Sequence, residues 1–140
     1  MFREISVKAA KIAAIFLLTY IVIVVAFESL LGYFQPAGGT TMIIATTDAE
    51  GRTNDRVVAR LDSGGQLYAA ANHWPRAWYR QALANPDMQV ELVAGERGNY
   101  LAVPVTGAEH DRVNNEHSLG IVFKILTGFP PRYLVRLDPL

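Results

Sequence analysis

The residues best suited to hold a ligand lie close together in the segment 72–79. This segment combines flat aromatic rings, cationic side chains and hydrogen-bond donors in His73, Trp74, Arg76, Trp78 and Tyr79. Aromatic faces stack on flat rings, and a guanidinium group forms charge-assisted hydrogen bonds with phosphate or carboxylate oxygens. The segment therefore predicts a binding site for a flat, anionic ligand. Three further cations lie earlier in the chain, just before the predicted hairpin turn Ser63-Gly64-Gly65. They are Arg52, Arg56 and Arg60.

Other chemistry has little support in the sequence. No glycine-rich phosphate loop, nucleophile elbow or zinc-protease motif occurs. The densest group of ligand-type side chains is His110, Asp111, Glu116 and His117. The two histidines are seven residues apart, which is too far along a helix for one metal ion, so a solvated helix face is the better interpretation. The absence of cysteine excludes disulfides and thiolate catalysis.

A short helix is predicted to position the aromatic segment. It follows a strand at Gln66–Ala71, and Asn72 is suited to cap its first turn, where Pro75 is tolerated. The helix is predicted to end at Asn85, because a residue before proline is disfavoured in helical geometry.

The faces of this helix separate its aromatic and cationic side chains. At about 100° per residue, Trp74, Trp78 and Ala82 share one side, whereas Arg76 and Arg80 lie opposite. The apolar side is expected to pack on the protein, which leaves two guanidinium groups for an anionic ligand.

The same stretch carries a family resemblance. Pro75-Arg76-Ala77-Trp78-Tyr79, then Leu83-Ala84-Asn85-Pro86 and a strand at 88–93, resembles the deazaflavin-dependent nitroreductase/quinone reductase family. Members carry an element that runs from a proline through Trp-Tyr to Ala-Asn-Pro and leads into a strand. The likeness extends more weakly over residues 41–139. The alternative is that Trp78 and Leu83 only pack the helix onto a barrel.

The resemblance implies a cofactor and a set of contacts. It implies an 8-hydroxy-5-deazaflavin coenzyme, with FMN or no cofactor as alternatives, and a cofactor that supplies the hydride. The cofactor-binding residues implied are Asn72, His73, Pro75, Ala77, Trp78 and Tyr79, to which the charge argument adds Arg76, Arg52 and Arg56. No residue is assigned a catalytic role.

The chain departs from the family next to a Thr-Thr pair. The family has Gly-Arg-Lys-Ser-Gly there, whereas Thr46-Thr47 is followed here by the acidic sequence Asp48-Ala49-Glu50-Gly51. Acidic groups repel an anionic cofactor, and only Arg52 or Arg56 could compensate from a shifted position.

Strand-forming runs between turns predict a mainly β fold. Six strands are expected at 41–47, 57–62, 66–71, 88–93, 99–105 and 132–137, with Pro104 marking an edge or a bulge. The sequence Thr106-Gly107-Ala108-Glu109 has the form of a capping box and predicts a second helix. Six predominantly antiparallel strands form a small closed or split β-barrel, and the resemblance implies the split, FMN-binding-like form.

The N-terminus predicts a transmembrane anchor. Ile12–Phe27 is a run of 16 uncharged residues behind the basic residues Arg3, Lys8 and Lys11. The predicted organisation is an anchor at 1–34, a linker at 35–40 and the barrel domain at 41–140. A cleaved signal peptide, an interfacial helix and a buried core helix are the alternatives. The basic flank favours an extracytoplasmic barrel, although deazaflavins are expected in the cytoplasm.

These inferences combine into a functional hypothesis. The chain is predicted to be a membrane-anchored oxidoreductase that transfers a hydride from a reduced deazaflavin or flavin to a quinone or nitro compound. The alternative is a non-catalytic module that binds a cofactor, lipid or partner protein. A formal net charge of zero predicts no binding to nucleic acid.

Overall fold

The computed structural model describes residues 2–33, 40–72 and 77–140, with side chains in the first range from residue 6 to 31. The chain divides into two compact units, one formed by the N-terminal helix with Gly120–Phe129 and the other by the remaining barrel residues. The elements in chain order are α1 Phe2–Tyr33, β1 Thr41–Thr47, β2 Thr53–Ser63, β3 Gln66–Ala71, α2 Ala77–Ala84, β4 Asp87–Val93, β5 Glu96–Val105, α3 Gly107–Glu116, α4 Ile121–Leu126 and β6 Tyr133–Pro139.

The six strands form a closed antiparallel barrel in the order β1-β2-β3-β6-β5-β4. The last strand lies between β3 and β5, and pairing of β1 with β4 closes the ring. Among the predicted elements, β1 and β3 are confirmed with the same bounds. The mainly β barrel predicted from the strand pattern is therefore confirmed.

Alternation along the strands builds the interior of the barrel. Met42 and Ile44 of β1 point inward at 2% and 0% exposure. Their cross-strand partners include Val58 of β2 and Val90 of β4, which are also buried. Since directly opposite residues share a face of the sheet, this register places the apolar set of each strand in one core.

Strands β2 and β5 begin several residues earlier than predicted. β2 begins at Thr53. Its first residues pair with β1 alone, since β3 joins the ladder only from Ala59 onward. β5 begins at Glu96, and Gly98 pairs with Val90 inside the β4–β5 ladder. Both extensions are polar and exposed, and strand propensity therefore gave little signal there.

Pro104 lies where a strand can tolerate it. The β4–β5 ladder begins at the pair Asp87–Leu101, so the end of β5 beyond it is flanked only by β6. A missing N–H removes no hydrogen bond on the unpaired side, and the predicted edge position is confirmed.

Helix α2 packs its apolar side into the barrel core. Trp78 and Ala82 are buried at 5% and 1% exposure and belong to the same cluster as Met42 and Val90. Arg80, on the opposite side, is exposed. The predicted separation of faces is confirmed for the described residues, whereas Trp74 and Arg76 lie outside them. Leu83 is 46% exposed, so it does not pack the helix onto the barrel.

Helix α3 covers the outer face of the barrel through Val113, which packs with Tyr68 and Leu134. Thr106 stands at its N-cap position but makes no side-chain capping bond. The predicted second helix is confirmed, but the capping box is not formed. Glu109 instead accepts hydrogen bonds from Tyr68 Oη at 2.8 Å and Arg136 Nη1 at 2.9 Å.

His110 of α3 and His117, which caps the end of this helix, contact backbone carbonyl groups. His110 Nε2 contacts the carbonyl of Arg132 at 3.1 Å, and His117 Nε2 contacts that of Asp62 at 2.9 Å. Within the described ranges, no three His, Cys, Asp or Glu side chains group as a metal site.

The other unit contains α1 and α4. Within α1, the stretch Ser6–Leu31 is 26 residues long, has a mean hydropathy of 2.5 and is not buried in the structure. It is long and apolar enough to cross a membrane. Helix α4 lies against it, with the rings of Phe27 and Phe123 6.0 Å apart.

Candidate functional site

A cleft of about 460 Å³ lies between the β1–β2 turn and α2. The turn contributes one wall and the polar side of the helix contributes the other. The lining residues are Thr47, Asp48, Ala49, Ala77, Arg80, Gln81, Ala84 and Asn85.

Arg80 gives this cleft an available positive charge. Of the arginines whose side chains the structure describes, only Arg56 and Arg80 make no ion pair or hydrogen bond to another described residue. Arg80 lines the cleft. Arg56 of β2 pairs with Ile44 of β1, so both side chains project from the same face of the sheet. An exposed guanidinium at a cleft is suited to a phosphate or carboxylate.

The acidic turn is built around Asp48. Its Oδ1 accepts hydrogen bonds from the backbone N–H groups of Arg52 at 2.8 Å and Glu50 at 3.1 Å. Its Oδ2 accepts a bond from Arg52 Nε at 2.9 Å. The Arg52 N–H, followed by the Arg52 guanidinium, lowers the pKa of Asp48 below its ordinary value. Asp48 therefore shapes the turn, and Arg52 is bound within it.

Two further contacts fix the position of α2. Thr46 Oγ1, buried in β1, donates to Gln81 Oε1 at 2.7 Å. Tyr79 stacks on Tyr133 of β6 with ring centroids 5.1 Å apart and planes 13° apart. With Trp78 in the core, these contacts hold the helix wall of the cleft on three sides of its axis.

The cofactor residues predicted within 72–79 differ in where the structure places them. Ala77 lines the cleft, whereas Trp78 is in the core and Tyr79 is half-buried against Tyr133. Asn72 accepts a 2.7 Å hydrogen bond from Arg132 Nε at its Oδ1. His73, Pro75 and Arg76 lie outside the described residues, as does the capping role predicted for Asn72.

Sequence reasoning missed two residues that shape this region. Arg132 donates to Asn72 and to the carbonyl of His117, and burial lowers the pKa of its guanidinium. Tyr133 supplies the ring against Tyr79. Their partners are distant in sequence, so the local patterns gave no signal for these contacts. Arg80 was recognised as part of the cationic side of the helix but was not included among the cofactor-binding residues.

Two other grooves are less suited to an anion. A groove of about 530 Å³ includes Asp87, Gln89 and Asn99 but no basic residue in its lining. One of about 350 Å³ contains Arg97, but this guanidinium already pairs with Asp55 and Glu91. Of these three grooves, the cleft beside α2 therefore has the charge best suited to bind an anion.

Comparison with known proteins identifies the fold. No family model and no curated protein sequence matches the chain. HutZ, the heme storage protein from Vibrio cholerae, superposes with a TM-score of 0.55 at 20% identity, covering 72% of this chain and 82% of that one. A putative pyridoxamine 5′-phosphate oxidase from Listeria innocua gives 0.53 at 12% identity, with coverage of 82% and 89%.

A third solved structure is an F420-H2 dependent reductase (FDR-A), with a TM-score of 0.57 at 16% identity and coverage of 74% of this chain and 98% of that one. At such identities the likeness establishes the fold alone. The chain has the split-barrel, FMN-binding-like fold, as the resemblance implied.

Proposed function

We propose that this chain is a membrane-anchored oxidoreductase that binds a deazaflavin or flavin beside α2 and reduces a quinone or nitro compound. The observation that carries the proposal is Arg80, an unpaired cation at a cleft on a split β-barrel. The binding residues proposed are Arg80, Ala77 and Gln81, with Arg56 as a second cation.

The residues of the cleft fit an anionic, partly flat ligand. A volume of about 460 Å³ is within the usual range of roughly 300–1,000 Å³ for small-molecule sites. Arg80 suits a phosphate-bearing tail, and the small side chains Ala77 and Ala84 allow a ring system to approach the helix. Asp48 and Glu50 oppose an anion, but Arg52 pairs with both and reduces their field.

The role of the protein in this proposal is orientation. Arg80 would hold the anionic end, and Gln81, fixed by Thr46, would present its amide to the ligand. Trp78 acts indirectly, because its burial sets the position of the helix that carries both residues. A bound deazaflavin or flavin would supply the hydride.

The similarity to known structures supports the cofactor class. The name of the F420-H2 dependent reductase specifies F420, which is a deazaflavin, and this agrees with the sequence resemblance around Trp78 and Tyr79. HutZ and the putative pyridoxamine phosphate oxidase carry other chemistry on the same fold. The site residues, not the fold, must therefore decide the cofactor.

The membrane assignment rests on α1. Its 26-residue apolar stretch extends over about 39 Å at 1.5 Å per residue, enough to cross the hydrocarbon core. None of this stretch is buried in the structure, unlike a core helix. A membrane-soluble quinone is an acceptor that such an anchor would bring close.

The alternative is a non-catalytic module that binds a cofactor, lipid or partner protein. The acidic turn favours it, because Asp48 and Glu50 occupy the positions where the resembling family has basic residues. A protein that binds neither deazaflavin nor FMN cannot be the proposed oxidoreductase, whereas a protein that binds one of them must also reduce a quinone or nitro compound to exclude the module.

The decisive experiment is titration of the purified full chain with deazaflavin and with FMN, followed by absorbance and fluorescence. Arg80→Ala should raise the dissociation constant about 10-fold or more, since a hydrogen bond to a charged group contributes roughly 1.5–3 kcal/mol. Arg60→Ala is the matched control, because Arg60 is paired with Asp62 and does not line the cleft. If native protein binds neither compound at micromolar concentration, the oxidoreductase proposal fails.

A further inference from the structure

We propose that Gly120–Phe129 is a second membrane-inserted element, whose apolar side chains contact lipid acyl chains beside α1. The inference rests on the proposal that α1 spans the membrane. It adds a re-entrant segment, formed by α4 and the turn after it, to what was expected to be a single-span anchor.

The first support is the position of this segment along α1. Tyr20 Oη donates to the carbonyl of Ile125 at 2.7 Å, and Phe27 meets Phe123 edge to face. A Cβ at Gly128 would lie 3.3 Å from Val24 Cγ1, so the turn is close to the helix as well. Tyr20, Val24 and Phe27 form one stripe of α1 at helical spacing. Because this stripe belongs to the apolar stretch Ser6–Leu31, whatever surrounds that stretch also surrounds α4.

The second support is the outer surface of the segment. Away from α1 it exposes four large apolar side chains: Ile121 at 62%, Val122 at 66%, Ile125 at 44% and Phe129 at 58%. This surface is continuous with the exposed apolar side chains of α1 through the contacts with Tyr20, Val24 and Phe27. An apolar patch continuous with a membrane span fits acyl chains better than water.

The third support is the C-terminal end of α4, where the last carbonyl groups find donors within the protein. The carbonyl of Phe123 accepts from the N–H and hydroxyl of Thr127. The Lys124 carbonyl accepts from the Phe129 N–H, and the Ile125 carbonyl accepts from the Gly128 N–H and Tyr20 Oη. With Gly128 at φ +72°, this is a Schellman ending.

Internal donors for these carbonyl groups are what hydrocarbon requires at a helix C-terminus. A helix end normally leaves carbonyl groups for water, and lipid tails offer no donors in its place. The hydroxyls of Thr127 and Tyr20 add donors where they are needed. Thr127 is 1% exposed despite being polar, which is explained by these bonds.

The charge of the segment sets its depth. Lys124 is the only charged residue in Gly120–Phe129, and it is exposed. A lysine can extend its aliphatic arm along apolar surface and keep its ammonium group among phosphates. The proposed element therefore enters the membrane half crossed by the C-terminal part of α1, with Lys124 reaching the headgroups.

The natural absence of cysteine allows a direct test with single-cysteine variants of the full chain. Val122→Cys, Leu17→Cys and Asp111→Cys would each be labelled with an environment-sensitive fluorophore. They would be reconstituted into phosphatidylcholine vesicles with and without nitroxide-labelled acyl chains. Val122 reports on α4, Leu17 on the span and Asp111 on an exposed position in α3.

We expect the labels at Val122 and Leu17 to be blue-shifted and quenched by the nitroxide lipids, with the label at Asp111 unaffected. Quenching at Leu17 with a water-like, unquenched label at Val122 would overturn this inference while leaving the anchor intact. An unquenched label at Leu17 would instead refute the anchor itself. A blue-shifted but unquenched label at Val122 would show protein, such as a second copy of the chain, covering α4, and would overturn the lipid contact.

Discussion

Thr46 in β1 and Gln81 in α2 are joined by a 2.7 Å hydrogen bond between Oγ1 and Oε1. Thr46 is 1% exposed, so the bond connects the barrel interior with the helix that lines the cleft. Its geometry determines how far α2 stands from the β1–β2 turn. The width of the candidate site thus depends on a buried polar contact.

Thr46→Val should destabilise the barrel by about 1–3 kcal/mol, because the substitution keeps the shape and leaves Gln81 Oε1 without its donor. Urea unfolding of the full chain in detergent would measure the change. Thr47→Val is the control, since Thr47 makes an exposed 3.4 Å contact with Thr53 and should change stability by no more than about 0.5 kcal/mol. Equal effects of the two substitutions would contradict the role of the Thr46–Gln81 bond.

Trp78→Ala should cost about 3–5 kcal/mol or prevent folding, because it removes a buried aromatic side chain from the barrel core. Arg80→Ala, on the exposed side of the same helix, should leave stability within about 0.5 kcal/mol. Denaturant unfolding again provides the measurement. A large loss of stability in Arg80→Ala would show that the faces of α2 are wrongly assigned.

Asp48→Asn should tighten binding of an anionic cofactor. Asparagine keeps an oxygen for the N–H groups of Glu50 and Arg52, so the turn is expected to persist. The substitution removes a negative charge from the cleft and releases the Arg52 guanidinium. The gain should be largest at low salt, because exposed charges are screened.

The dissociation constant for deazaflavin, measured at two salt concentrations, tests this. Asp111→Asn is the matched control, because it removes an exposed acid from α3 without touching the cleft. Unchanged affinity in Asp48→Asn would mean that the ligand does not approach the turn.

Glu109 should make stability fall in acid. Hydrogen bonds from Arg136 and then Tyr68 hold the pKa of Glu109 below its ordinary value of 4.5 in the folded protein. The stabilisation is therefore present above that value and is lost as the pH falls through the folded-state pKa. Thermal unfolding between pH 6 and pH 3 should show a smaller acid loss in Glu109→Gln than in Glu96→Gln, an exposed substitution on β5. Parallel profiles would remove Glu109 from the explanation.

The charge flank makes a prediction about membrane sidedness. Because Arg3, Lys8 and Lys11 precede the apolar run, the barrel should lie outside the cytoplasm. A reporter that functions only outside the cytoplasm should be active when fused after Leu140. Activity of a cytoplasm-restricted reporter would reverse the orientation and would bring the barrel to the compartment expected for deazaflavins.

Local sequence signals predicted the elements better than their contacts. Trp78, Ala82 and Arg80 were assigned to the correct faces because helical periodicity depends on spacing alone. Glu109 was misread because the capping-box pattern cannot reveal that its carboxylate has partners on β3 and β6. The cleft itself required the β1–β2 turn to meet α2, which no local pattern contains.

The contact between α4 and α1 was beyond sequence reasoning for the same reason. Tyr20 and Ile125 are 105 residues apart. The segment Gly120–Phe129 is mainly apolar, but an exposed membrane element and a buried turn have the same composition. Only the exposure of Val122 and its neighbours distinguishes them.

The position of β6 in the barrel has a consequence for biosynthesis. This final strand fills the gap between β3 and β5, so an incomplete chain presents two unpaired strand edges. Closure depends on contacts between distant parts of the sequence, which form slowly. The N-terminal helix, made first, is available for insertion while the barrel is still open. The barrel is thus expected to close only after β6 has emerged from the ribosome, and nascent chains stalled before Tyr133 should be sensitive to protease and prone to aggregation.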